Sequence, residues 1–98
     1  MTAPVGVLDR AWDLSPGVSV RPESFGALLY HFGTRRLSFL KDRRLLEVVQ
    51  RLPDCASARE ACQSAGLGLD ELPAYARALS TLVDTSMIVE RHRSKERL

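Results

Sequence analysis

Arg21-Pro22-Glu23-Ser24-Phe25-Gly26-Ala27-Leu28-Leu29-Tyr30-His31-Phe32-Gly33-Thr34-Arg35-Arg36-Leu37-Ser38-Phe39-Leu40 decides the fold of this chain. It reads as two strands joined at Gly33-Thr34, with glycine supplying the positive φ that a tight hairpin needs. Phe25 to Phe32 is apolar on both alternating sets, the pattern of a central strand covered on both sides. In Arg35–Leu40, Leu37 and Phe39 point one way and Arg36 and Ser38 the other, toward solvent. This second strand is open to pairing along its outer side, and such an edge accepts an extended peptide.

Outward from the hairpin, Val18 and Val20 alternate with Ser19 and Arg21 as a preceding short strand. Pro22 ends its pairing on one side because it has no backbone donor. Trp12 and Leu14 flank Asp13, and Ser15-Pro16-Gly17 turns the chain. The single Trp is expected to pin this segment to the core. Residues 1–10 carry Pro4 and Gly6 without periodicity and read as a mobile leader.

After Leu40 the period becomes helical. Leu45, Leu46, Val48, Val49 and Leu52 predict a helix over 42–52, stopped by Pro53-Asp54. Ser57 and Glu60 form a capping-box pattern that opens a short helix ending near Gly66. Asp70 is read as the N-cap of a last helix running to about Thr85, with Pro73 in its first turn. Its apolar face is Leu72, Tyr75, Ala76, Leu79, Leu82 and Val83. Met87-Ile88-Val89 can add a short strand. The charged residues 90–98 read as a frayed tail. The fold class is therefore α+β, a winged helix-turn-helix-like plan: a three-stranded antiparallel sheet followed by three helices. The expected core is Phe25, Leu28, Tyr30, Leu37, Phe39, Leu45, Val49, Leu79 and Leu82.

Ninety-eight residues make one domain, with little room for a deep catalytic cavity. The net charge of +2 is unevenly placed. Between residues 35 and 52, six basic residues oppose only Asp42 and Glu47. Such a patch suits an acidic peptide, an acidic protein surface or phosphate. Cys55 and Cys62 stand seven apart, without the paired spacing of a zinc site, and read as reduced thiols of a cytoplasmic protein. No signal peptide is visible, and no apolar run approaches the roughly 20 residues that span a bilayer. His31 and His92 lie in different elements, and no nucleophile, phosphate loop or ligand cluster accompanies them. The chain is read as non-enzymatic, with no cofactor and no metal.

Two binding readings remain. A winged-helix transcription regulator would read DNA with its last two helices. Residues 53–86, however, carry Arg59 and Arg77 against Asp54, Glu60, Asp70, Glu71 and Asp84, the wrong sign for a polyanion. Peptide capture fits better. Ala74, Ala78 and Thr81 form a stripe of small residues on the last helix, which would leave a trough beside the open strand.

The stretch Trp12-x-Leu14-x-Pro16-x-Val18-x-Val20-Arg21-Pro22-Glu23-x-Phe25-Gly26-Ala27-Leu28-x-Tyr30 resembles the mycofactocin-biosynthesis chaperone family. Arg36-Leu37-x-Phe39-Leu40 and the helical remainder to Ser86-Met87-Ile88 continue the resemblance over residues 11–89. This family is similar to the pyrroloquinoline-quinone chaperone among peptide-recognition elements. The resemblance implies a protein without catalytic activity that binds a ribosomally made precursor peptide. It would present that peptide to a radical S-adenosylmethionine enzyme, with neither nucleic acid nor membrane as partner. It also implies that the leader adds as a strand on Arg35, Arg36, Leu37, Ser38, Phe39 and Leu40, facing Ala74, Arg77, Ala78 and Thr81.

Overall fold

The computed structural model describes residues 3–91. A short helix α1 (Ala3–Leu8) leads into β1 (Trp12–Leu14), β2 (Val18–Glu23), β3 (Gly26–His31) and β4 (Arg36–Leu40). Helices α2 (Arg43–Arg51), α3 (Ala58–Ser64) and α4 (Leu72–Asp84) follow, and β5 (Ile88–Glu90) closes the chain. Strands β2, β3 and β4 form an antiparallel sheet in that order, and β1 pairs with β5 in a separate two-stranded sheet.

The helices end where their caps dictate. The Asp42 carboxylate accepts the Leu45 N–H at 2.7 Å and opens α2. Ser57 Oγ accepts the Glu60 N–H at 3.2 Å, while Glu60 Oε1 accepts the Ala56 N–H, so the capping residues act at the start of α3. At the end of α3, Gly66 takes φ 89 and its N–H reaches the Gln63 carbonyl, while the Leu67 N–H reaches that of Cys62. That pair of bonds is the Schellman closure, and Gly66 is the residue type its left-handed position favours. The last helix starts later than Asp70 predicts. A 3-10 turn over Leu69–Glu71 precedes it, and Glu71 stands at the N-cap.

The N-terminal segment differs from the mobile leader read in the sequence. Over Ala3–Leu8 it is helical, with Val7 and Leu8 buried against the core. The Trp12 indole N–H donates to the Val7 carbonyl at 2.9 Å, tying β1 to α1. Six residues carry no helix by propensity, so packing against α4 supplies the stability. Beyond Arg91 the frayed-tail reading lies outside the described residues.

The hairpin pairs in the expected register, with His31 opposite Arg36 and Leu28 opposite Phe39. Its turn is longer than Gly33-Thr34. Phe32 to Arg35 form a four-residue loop folded around the His31 imidazole, whose Nδ1 accepts the N–H groups of Gly33 and Thr34. Arg35, at φ 63, takes the left-handed position instead of Gly33 and lies in the turn, not the strand.

The larger difference is which face turns inward. Ala27, Leu29 and Leu40 are buried, with Val18 and Val20 packed beside them and Val48 and Val49 of α2 in the same core. Leu45, Val49, Leu79 and Leu82 are buried as expected. Leu28 and Tyr30 are only half-buried, while Phe25, Leu37 and Phe39 are 46%, 55% and 61% exposed. Ser38, expected in solvent, sits half-buried on the inner face. So the described elements cover the sheet on one side only. The reason lies at the β4–α2 corner. Only Lys41 and Asp42 separate the strand from a helix that packs on β3, so Leu40 must enter the core, and it is 1% exposed. Alternation then carries Ser38 inward and Leu37 and Phe39 outward.

One contrast checks this orientation. Leu29→Ala should cost about 2–5 kcal/mol in chemical denaturation. Phe39→Ala should cost less than about 1 kcal/mol, because its ring already meets water. Equal losses would mean that the sheet packs by its other face.

Candidate functional site

Antiparallel alternation fixes which backbone groups of the sheet are free. The Phe32 N–H bonds the Gly17 carbonyl at 3.0 Å, extending the β2–β3 ladder by one pair. Hydrogen-bonded pairs recur every second residue, so Tyr30 and Leu28 also turn their main-chain groups toward β2. Leu29 and Ala27 therefore turn theirs toward β4, where Ser38 and Leu40 are their partners. The Ser38 N–H is consequently spent inside the ladder. The N–H and C=O groups of Leu37 and Phe39 are the ones that point off the open edge.

The opposite edge of the sheet follows the same logic with a different outcome. On β2 the outward positions are Val18, Val20 and Pro22. Pro22 has no N–H to offer, and Arg21 and Glu23 close an ion pair across it at 3.0 Å. This edge is blunted against pairing. The β4 edge has no proline.

Beside β4 lies a groove of about 420 Å³. Its lining includes Ser38, Phe39 and Leu40 from the strand and Ala74, Ala78 and Thr81 from α4. The small-residue stripe thus faces the open strand. The other anticipated residues stand outside the lining: Arg35, Arg36, Leu37 and Arg77 are exposed and do not line it. Lys41, read in the sequence as part of the basic patch, also lines the groove, and sequence reading missed Asp42, Leu45, Tyr75 and Leu82 as lining residues. The signal for Leu45 and Leu82 was present, because both lie at the core-facing spacing of their helices.

Tyr75 and Asp42 form the polar end of the groove. The Tyr75 hydroxyl donates to both carboxylate oxygens of Asp42, at 3.1 and 3.2 Å. Burial, then the hydrogen bond to Asp42 and the charge of that carboxylate, push the phenol above its ordinary pKa of 10.0. Asp42 therefore does two jobs, capping α2 and fixing the Tyr75 ring at the mouth. Cys62 is buried in the core, and that burial pushes its thiol up to about 11. Among the described residues, no group of three or more His, Cys, Asp or Glu could hold a metal ion. No helix among them is long and apolar enough to cross a membrane.

An open strand edge flanked by a helix and an apolar groove defines a peptide-binding module. The sequence profile of the peptide chaperone MftB family matches residues 11–89. The chain is 55% identical over 83 residues to the peptide chaperone MftB of Mycobacterium tuberculosis, covering 85% of this chain and 76% of that protein. It is 54% identical over 81 residues to that of Mycobacterium ulcerans, covering 83% and 74%. For Mycolicibacterium smegmatis the figures are 53% over 81 residues, with 83% and 79% covered. The chain belongs to the peptide chaperone MftB family, the mycofactocin-biosynthesis group that its hairpin motif resembles. No solved structure matches it.

Replacing Asp42 tests the polar end. Asp42→Ala should cost about 1 kcal/mol through the lost cap. In ultraviolet titration the Tyr75 phenol should ionise at lower pH than in the wild type, while burial keeps it above an exposed tyrosine. An unmoved phenol titration would sever the link between the two residues.

Proposed function

We propose that this protein is a non-catalytic chaperone that takes a precursor peptide as an added antiparallel strand on β4. It then presents the peptide to a radical S-adenosylmethionine enzyme. The observation that carries this reading is the coincidence of an unprotected strand edge with a groove on its inner side. Outward N–H and C=O groups at Leu37 and Phe39 would supply the main-chain bonds, which ask little of the peptide sequence. Alternate side chains of the added strand would enter the groove between Ser38, Leu40, Ala74 and Ala78, where selectivity arises. The intervening side chains would lie beside Leu37 and Phe39 on the outer face. The basic residues at 35–36 and 41–44 suit an acidic leader and would speed its encounter.

Titration of the precursor peptide against two variants separates main-chain from side-chain recognition. Leu37→Pro removes an outward donor while leaving the bonds to β3 in place. Ala78→Phe fills the groove. Each should weaken binding about tenfold or more, a loss of about 1.4 kcal/mol or more. Thermal melting should show both variants folded. Wild-type affinity in both would refute strand addition at this edge, even if the peptide binds elsewhere.

A further inference from the structure

The outer face of the β2–β3–β4 sheet is not covered by any described element. In register it presents Leu28 beside Phe39 and Tyr30 beside Leu37. Phe25 stacks on Phe39 with ring centroids 6.2 Å apart, and Phe32 meets Tyr30 edge-on at 4.9 Å. Six apolar side chains thus form one continuous strip from the β2–β3 turn to the hairpin tip. Four of them, Phe25, Phe32, Leu37 and Phe39, are exposed. Contiguous exposed patches of this kind on a small domain mark interaction sites, and paired aromatic rings are the side chains that anchor them.

The rim says what covers the strip. Arg21, Arg35 and Lys41 border it, with Glu23, bonded to Arg21, as the nearby carboxylate, while Arg36 shares the inner face with Ser38. A second copy of this chain would bring a second basic rim against the first. A protein whose apolar patch is edged by Asp and Glu meets the strip without that repulsion. The strip also runs up to the β4 edge, so a peptide strand added there would continue the same surface. An enzyme seated on the strip would reach peptide and chaperone together.

We infer that this outer aromatic face is the docking surface for the enzyme that receives the peptide, through an apolar patch rimmed by carboxylates. The inference rests on the peptide-chaperone reading for the identity of that partner. Phe39 belongs to both the strip and the groove lining, whereas Phe25 and Phe32 lie outside that lining, so variants at these two separate the two readings.

The double variant Phe25→Ser with Phe32→Ser tests it. Both side chains are exposed, and neither lines the groove. Binding would be measured to the purified radical S-adenosylmethionine enzyme that acts on the precursor peptide, with peptide affinity and sedimentation measured alongside. The variant should bind the peptide like the wild type and lose about tenfold or more in affinity for the enzyme. Raising salt should weaken the wild-type complex as the rim charges are screened. Unchanged enzyme affinity in the variant would overturn the inference. So would failure of the wild type to bind the enzyme, or a wild-type dimer that the variant dissociates, which would give the face to a second copy. Failure of the wild type to bind the peptide would strike the groove reading, while enzyme binding still decides this one.

Discussion

Leu40 has to enter the core because only two residues separate it from a helix that packs against the neighbouring strand. That constraint propagates backward along β4 in steps of two. It turns Ser38 inward and sends Leu37 and Phe39 out. Together with the ladder to β3, it leaves the main-chain groups of the same two residues facing the open edge. Gly26 belongs to the same corner. A Cβ there would come 2.1 Å from the Leu40 carbonyl oxygen, so β3 can begin beside Leu40 only without a side chain. Groove, edge and exposed aromatic strip are three consequences of one strand orientation.

The remainder of the molecule holds that orientation rigid. Arg91 donates from Nη1 to Asp13 and to the Pro53 carbonyl, and from Nη2 to the Cys55 carbonyl at 2.7 Å. It thereby ties the end of the described chain to β1 and to the α2–α3 connection. Ser15 is buried, its N–H bonded to the Met87 carbonyl and its hydroxyl to that of Ser86. Ser86 itself sits at φ 64, closing α4 and turning the chain into β5. With α1 packed along α4, these contacts fix the helix that forms one wall of the groove. A shallow groove between a strand and a helix keeps its shape only if both walls are anchored away from it.

Much of this was legible in the sequence. Strand positions, hairpin register, the Ser57 cap and the Gly66 stop follow from local rules. The family followed from the hairpin motif. What failed was the expectation that β3 is covered on both sides, and with it the inward placement of Leu37 and Phe39. Phe25, Leu28, Tyr30 and Phe39 outweigh Ala27, Leu29 and Leu40 in size, so bulk favours the wrong side. The short β4–α2 link carried the missing information. The α1 helix was invisible because six residues without a cap signal owe their conformation to the partner they pack on. The residues of the site divided the same way. The small stripe on α4 was readable from helical spacing, and the Asp42–Tyr75 contact joins residues 33 positions apart that no local pattern connects.

Strand addition on β4 makes a residue-level demand that amide hydrogen exchange can read directly. In the free protein, the amides of Ser38 and Leu40 should be protected by the ladder to β3, and those of Leu37 and Phe39 should exchange freely. On saturation with precursor peptide, Leu37 and Phe39 should become protected, with Ser38 and Leu40 unchanged. New protection confined to α2, or to the β2 edge at Val18 and Val20, would contradict the account.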